Sequence, residues 1–248
     1  MKMKLKCGRR HEVFADHSAR LAHSSAAFTL VELLVVISII GVLAGFTLVA
    51  LKPARALQYK KVATAEMNHL ETALENYKAK YGAYPPSNQN APGVYPAPLD
   101  RSQFSQLYYE LAGTTISGGN FATLDRSAAI AIGNVKTAYG VGGFVNCTTG
   151  GAEDGTVAQN FIAGLSSREI GAVSNNAVPN TVVLGTSVGG PDGAYQPIGV
   201  PGLNPFRYVY PGVYNPGGYD LWVQLVINGQ TNLICNWSRQ VQINRPLP

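Results

Sequence analysis

From Phe28 to Leu51 the chain is apolar at almost every position, and the run holds a single charge, Glu32. These 24 residues would make a helix of roughly 36 Å at ~1.5 Å per residue, enough to cross a hydrocarbon core of ~30 Å. A carboxylate inside such a span costs roughly 2.5–3.5 kcal/mol at mid-membrane, so Glu32 calls for a partner or a purpose. Beyond the run the period changes. Residues 54–81 place Leu57, Ala63, Leu70, Ala73, Leu74, Tyr77 and Tyr81 at helical spacing, with Glu66, Glu71, Glu75, Lys60, Lys61, Lys78 and Lys80 on the remaining surface. Pro53 marks the interface and a kink, Gly82 is placed to cap the helix, and Pro85-Pro86 forbids its continuation. The pattern predicts one helix from about 28 to 81, roughly 80 Å long, apolar all round in its first half and amphipathic in its second.

After Pro86 the helical period is lost. Between Ala112 and Leu203 there are 18 glycines and eight charged residues. Short apolar pieces at Ala128–Ile132, Phe161–Leu165 and Val182–Leu184 predict short strands and turns rather than helices. The last stretch is more regular. Leu221–Ile227 and Thr231–Trp237 read as strands joined by Asn228-Gly229, a strong hairpin signal, and Tyr208–Tyr210 adds a strand upstream. The expected fold is α+β: a long N-terminal helix, membrane-spanning and then amphipathic, packed on a small antiparallel sheet. Its segments are a leader (1–27), an apolar helix (28–51), an amphipathic helix (52–86), a Gly-rich insert (87–203) and a C-terminal sheet (204–248).

Charge sharpens this division. The formal net charge is +5, but residues 1–27 carry six basic and two acidic residues, leaving +1 for the rest. A basic leader before an apolar span predicts a cytoplasmic N-terminus with everything after residue 51 translocated. The near-neutral remainder lacks the clustered basic footprint of a nucleic-acid binder. An ordinary secretory signal has an apolar core of ~7–15 residues followed by small residues; here the run is longer and Ser24-Ser25-Ala26-Ala27 precede it. Cleavage near Val42-Leu43-Ala44 would discard Glu32 without a role.

Chemistry-bearing residues are few. Without the leader, the chain keeps one histidine, His69, and two cysteines, Cys147 and Cys235. Histidine-based metal binding and Ser-His-Asp catalysis are thereby excluded, and no other polar constellation points to an enzyme. An even cysteine pair in an exported domain suggests a Cys147–Cys235 bridge, the alternative being two free thiols. Asp220 reads as a structural acid at a strand end. Trp222, Trp237, Tyr208 and Tyr210 read as packing residues.

The stretch Ala27-Phe28-Thr29-Leu30-Val31-Glu32-Leu33-Leu34-Val35-Val36 resembles the N-terminal signature of the type IV pilin and type II secretion pseudopilin superfamily. The resemblance implies cleavage between Ala27 and Phe28 by a prepilin peptidase, N-methylation of Phe28, and an assembly role for Glu32. The family usually has Gly before the cut; Ala27 is the nearest residue in size, and processing is expected to survive more slowly. Asn68–Tyr77 with Tyr81–Pro85, and Asn204–Tyr208 with Tyr219–Leu221, are similar to the major type II secretion pseudopilin branch. That branch binds calcium through an acidic C-terminal loop, whereas Asn228–Trp237 has no carboxylate; no metal or other cofactor is expected.

The resemblance implies a structural, non-enzymatic subunit at the bacterial inner membrane, single-pass, with a periplasmic head. Its expected partners are copies of itself, the prepilin peptidase, an assembly platform and minor pseudopilins, with no nucleic acid. The expected filament is a type II secretion pseudopilus; the alternatives are a type IV pilus for adhesion, motility or DNA uptake, and a membrane-tethered binding protein that never polymerises. In a filament, Glu32 would neutralise a neighbour's Phe28 amine, or else pair with its own. Gly41 and Gly45 form a small-xxx-small pattern suited to close helix packing, or a point where the helix unwinds.

Overall fold

Fifty-two residues, Leu30–Tyr81, form α1. The computed structural model describes residues 28–91, 95, 100–149, 156–174 and 180–244. The leader, including Ala27, lies outside the described residues. The chain divides into two units, Met1–Val49 and Ala50–Pro248. In the first, α1 exposes its large apolar side chains from Leu30 to Phe46. Within α1, Ser38 Oγ donates to the Val35 carbonyl at 2.7 Å and Thr47 Oγ1 to the Leu43 carbonyl at 2.8 Å. Those bonds satisfy the hydroxyls internally, as a lipid environment requires.

In the second unit α1 buries Ala63, Met67, Leu70, Ala73, Leu74 and Tyr77, a stripe repeating every three to four residues. The expected stripe is present, with one correction. Leu57 is exposed and Ala56 packs inward instead. At 100° per residue, Leu57 lies about 140° round the helix from Leu70. Gly82, at φ 80°, ends α1 with its N–H donating to the Lys78 carbonyl at 2.8 Å.

The insert holds the first sheet, built from β1 (Thr114–Ser117), β2 (Asn120–Thr123), β3 (Ala129–Ala131) and β4 (Cys147–Thr148) in the order β3-β2-β1-β4. Gly118-Gly119, both at positive φ, turn β1 into β2, while β4 lies parallel to β1. A separate pair joins β5 (Ile170–Val173) to β6 (Thr181–Leu184). Two short helices also occur where only strands and turns were expected: α2 (Leu107–Ala112) and α3 (Ile132–Tyr139). Gly113 ends α2 and Gly140 ends α3, while Gly133 is accommodated in the first turn of α3. Phe161–Leu165, expected as a strand, is a turn segment.

The C-terminal sheet runs β10-β9-β8-β7, from β7 (Arg207–Val209), β8 (Asp220–Ile227), β9 (Gln230–Cys235) and β10 (Ser238–Ile243). Asn228 and Gly229 take positive φ at the β8–β9 turn, as the dipeptide predicts. The unforeseen strand is β10, whose Arg239, Gln240 and Gln242 leave little apolar alternation to detect. One main core joins the α1 stripe to α2, α3 and the inward residues of β8, Leu221, Val223, Leu225 and Ile227.

The suggested disulfide is not present. Cys147 and Cys235 are both free and buried. Cys147 sits on the first sheet, in the main core, whereas Cys235 lies on the C-terminal sheet beside Trp222 and Leu233 in a separate cluster.

Gly113 shows how tightly the insert is folded. Its φ of 70° and ψ of 147° are open to glycine alone, and a Cβ there would stand 2.8 Å from the Gln159 carbonyl oxygen. Gly113→Ala should cost about 1–3 kcal/mol, read as a lower midpoint of chemical unfolding; an unchanged midpoint would contradict this geometry.

Candidate functional site at the start of the first helix

The chemistry of the N-terminal segment gathers at its first turn. Phe28 is exposed, and Thr29 immediately precedes the helix. The Thr29 N–H donates to Glu32 Oε2 at 2.9 Å, and Thr29 Oγ1 donates to the same oxygen at 2.8 Å. In return, the Glu32 N–H donates to Thr29 Oγ1 at 3.2 Å. This is a reciprocal capping box, in which two otherwise orphaned amides at a helix start are satisfied. The negative carboxylate also faces the positive end of the helix dipole. The sequence carries this signal as Thr29-Leu30-Val31-Glu32, the spacing of a capping box, which the membrane and assembly roles of Glu32 do not require.

Both bonds to Glu32 fall on Oε2. Oε1 has no partner among the described residues. The turn thus holds the carboxylate in a fixed rotamer with one oxygen available to a donor from outside the chain. Farther along, Gly41 and Gly45 are four residues apart and share one face; a Cβ built on either meets nothing within 4 Å. Nothing in the isolated chain requires glycine there, whereas close approach of another helix would.

The other residues singled out from sequence lie away from this turn. His69 is exposed on α1. Among the described residues no three His, Cys, Asp or Glu side chains come together as a metal site. Asp220 is buried and accepts the N–H groups of Val213 at 2.6 Å, Tyr214 at 2.9 Å and Asn215 at 3.0 Å. Asp192 accepts those of Asn228 at 3.0 Å and Gly229 at 2.7 Å. Tyr208 donates to the Pro85 carbonyl at 2.7 Å, and Trp237 stacks on Tyr214 at 4.6 Å.

Sequence reasoning missed a polar hub. Glu110, fully buried on α2, accepts from Tyr77 Oη at 2.9 Å and from the amides of Val145 and Asn146, each at 3.0 Å. Asn146 in turn accepts from Tyr81 Oη at 2.7 Å and donates to the carbonyls of Glu110 and Gln159, each at 2.7 Å. Glu66, expected on open surface, is likewise engaged: it accepts from Thr186 Oγ1 at 2.6 Å and from Ser187.

Residues 23–48 match the family described as the prokaryotic N-terminal methylation motif. The chain carries a prepilin-type N-terminus. Over 79 residues the chain is 37% identical to the type II secretion system core protein G of Escherichia coli (strain K12). That similarity covers 32% of this chain and 54% of the relative, so the chain spans about half the length of the curated protein it matches. No solved structure matches. The motif and an α1 long and apolar enough to cross a membrane fit single-pass membrane anchoring.

Proposed function

We propose that this chain is a structural subunit of a pilus-like filament anchored at the bacterial inner membrane, and specifically a pseudopilin of type II secretion. Prepilin peptidase cuts between Ala27 and Phe28 and the new amine is methylated, leaving the leader side cytoplasmic and the residues after 51 periplasmic. The subunits then polymerise through α1 on an assembly platform, with minor pseudopilins as further partners. The subunit's task is mechanical support of protein export rather than catalysis.

The observation that carries this reading is the first turn. Processing would create a cationic amine one residue before a capped helix, and burial of that amine in a helical filament is strongly unfavourable unless it meets a counter-charge. Glu32 Oε1, held ready by the bonds on Oε2, supplies that charge to the amine of a neighbouring copy and sets the axial offset between them. The exposed apolar face with Gly41 and Gly45 supplies the packing surface.

Two measurements test this. Mass spectrometry of the mature protein should find a chain beginning at N-methylated Phe28; an intact Met1 would end the proposal. Glu32→Ala should insert into the membrane as well as the parent yet yield no filaments, and normal assembly of that variant would remove Glu32 from the mechanism.

A further inference from the structure

Just beyond the apolar span, α1 carries Lys52, Arg55, Lys60 and Lys61, and no acid occurs between Leu33 and Ala65. On a helix surface an acid three or four residues away is what balances a cation. Around these four, every such position holds an uncharged residue or another cation. Lys52 and Arg55 are themselves three apart, a spacing at which like charges repel. None of the four makes an ion pair among the described residues, and Lys52, Arg55 and Lys61 are exposed. Farther along α1 the pattern differs, for Lys78 follows Glu75 by three residues.

Four unbalanced cations call for an anion from outside the chain, and their placement says which kind. At 100° per residue they stand at about 0°, 300°, 80° and 180° round α1, so no gap between them exceeds about 120°. A single protein partner would engage a stripe. A ring meets a layer that surrounds the helix. Along the axis, Lys52 and Arg55 lie within about 6 Å of Leu51, and the headgroup layer on each side of a bilayer is about 5–8 Å deep. Lys60 and Lys61 start about 14 Å out. Helical side chains lean toward the N-terminus, here the membrane side, and the long lysine stem lets both ammonium groups reach back toward that layer. Between the two pairs stand the exposed Leu57 and the half-buried Tyr59, an apolar and an amphipathic side chain of the sort an interface accommodates.

We propose that Lys52, Arg55, Lys60 and Lys61 form a collar that binds the phosphate groups of anionic phospholipids around α1, in the leaflet nearer the head. The inference rests on the membrane anchoring in the reading above and adds a lipid partner to it. The six basic residues of the leader leave with cleavage, whereas the collar stays with the mature chain. It holds the processed subunit at the membrane surface until assembly draws it out. The attraction is electrostatic, so it falls off within a screening length and weakens with salt.

The test uses the full chain, purified from membranes and returned to phosphatidylcholine vesicles with a trace of spin-labelled lipid. The fraction of label immobilised against the protein is read for labelled phosphatidylglycerol and for labelled phosphatidylcholine. The unaltered chain should prefer phosphatidylglycerol about fivefold, the effect of one cation on each bound lipid. Raising the salt from about 0.01 to about 1 M shortens the screening length from about 30 to about 3 Å and should erase the preference. Lys52→Gln/Arg55→Gln should remove most of it, and glutamine at all four positions should remove the rest. Lys78→Gln/Lys80→Gln, which takes away the same charge farther along α1, should leave it unchanged. No preference in the unaltered chain, or an equal loss from the Lys78/Lys80 pair, would overturn the collar while leaving membrane anchoring in place. Displacement of the labelled lipid by inorganic phosphate at matched ionic strength would also overturn it, by showing a site for free anions. A chain that alkaline carbonate washes off the vesicles would overturn the anchoring itself.

Discussion

Glu110→Ala should destabilise the head by about 4 kcal/mol, the largest stability loss expected of any single change in the insert. The carboxylate is the acceptor for three groups on two different elements: Tyr77 Oη on α1 and the amides of Val145 and Asn146 ahead of β4. Each buried donor left without an acceptor costs about 1–3 kcal/mol, partly relieved where water enters. Glu110→Gln should cost less, because its carbonyl still accepts, although the amide nitrogen then faces a donor. Unfolding followed by Trp222 and Trp237 fluorescence in detergent measures both, and an alanine variant within 1 kcal/mol of the parent would show that the hub is not a fastening point.

The same residue sets a pH dependence with a definite sign. Burial pushes the Glu110 carboxyl above its ordinary value of 4.5, against the opposing pull of its hydrogen bonds. A group whose folded pKa is raised binds its proton more tightly in the folded state. Its contribution to stability is fully present below the unfolded pKa and is lost as pH rises through the folded one. The parent should therefore lose stability as pH climbs from about 4.5, and Glu110→Gln should flatten that decline. Glu71, also raised, contributes in the same direction, so Glu71→Gln is the needed comparison.

What the sequence discloses here depends on the range of the interaction. The Asn228-Gly229 turn, the Gly82 cap and the stripe from Ala63 to Tyr77 are local, and each follows from backbone freedom or a helical period. The first turn was also locally encoded, since Thr29 and Glu32 have capping-box spacing. Glu110 is different. Leu-Tyr-Tyr-Glu-Leu-Ala presents one acid among apolar residues, and nothing within six residues reveals that its acceptors serve Tyr77 and Asn146, some 30 residues away on either side. The cysteines fail for the same reason: an even count says nothing about which layer each strand joins. Glu66 looked like a solvated residue of an amphipathic helix, because Thr186 and Ser187 reach it only through the tertiary fold.

Asp220→Ala should have the second large effect, about 3 kcal/mol, and it should be visible at a second place. Asp220 gathers the amides of Val213, Tyr214 and Asn215 onto one carboxylate at the start of β8. Gly212 lies against it so closely that a Cβ there would meet Asp220 Oδ1 at 2.7 Å. Without the carboxylate, three amides lose their charged acceptor, and hydrogen bonds to charged groups are worth about 1.5–3 kcal/mol each before relaxation. The loop they shape carries Tyr214, whose ring stacks on Trp237 at 4.6 Å, and Trp237 meets Trp222 at 5.7 Å. Release of the loop should therefore change the native-state tryptophan fluorescence as well as the unfolding midpoint. Asp220→Asn, which keeps one of the two accepting oxygens, should fall between the parent and the alanine variant on both readouts. A midpoint shift without a fluorescence change would mean that Tyr214 is held by its ring contact rather than by Asp220. An unchanged midpoint would mean that the amides find water as readily as they find the carboxylate.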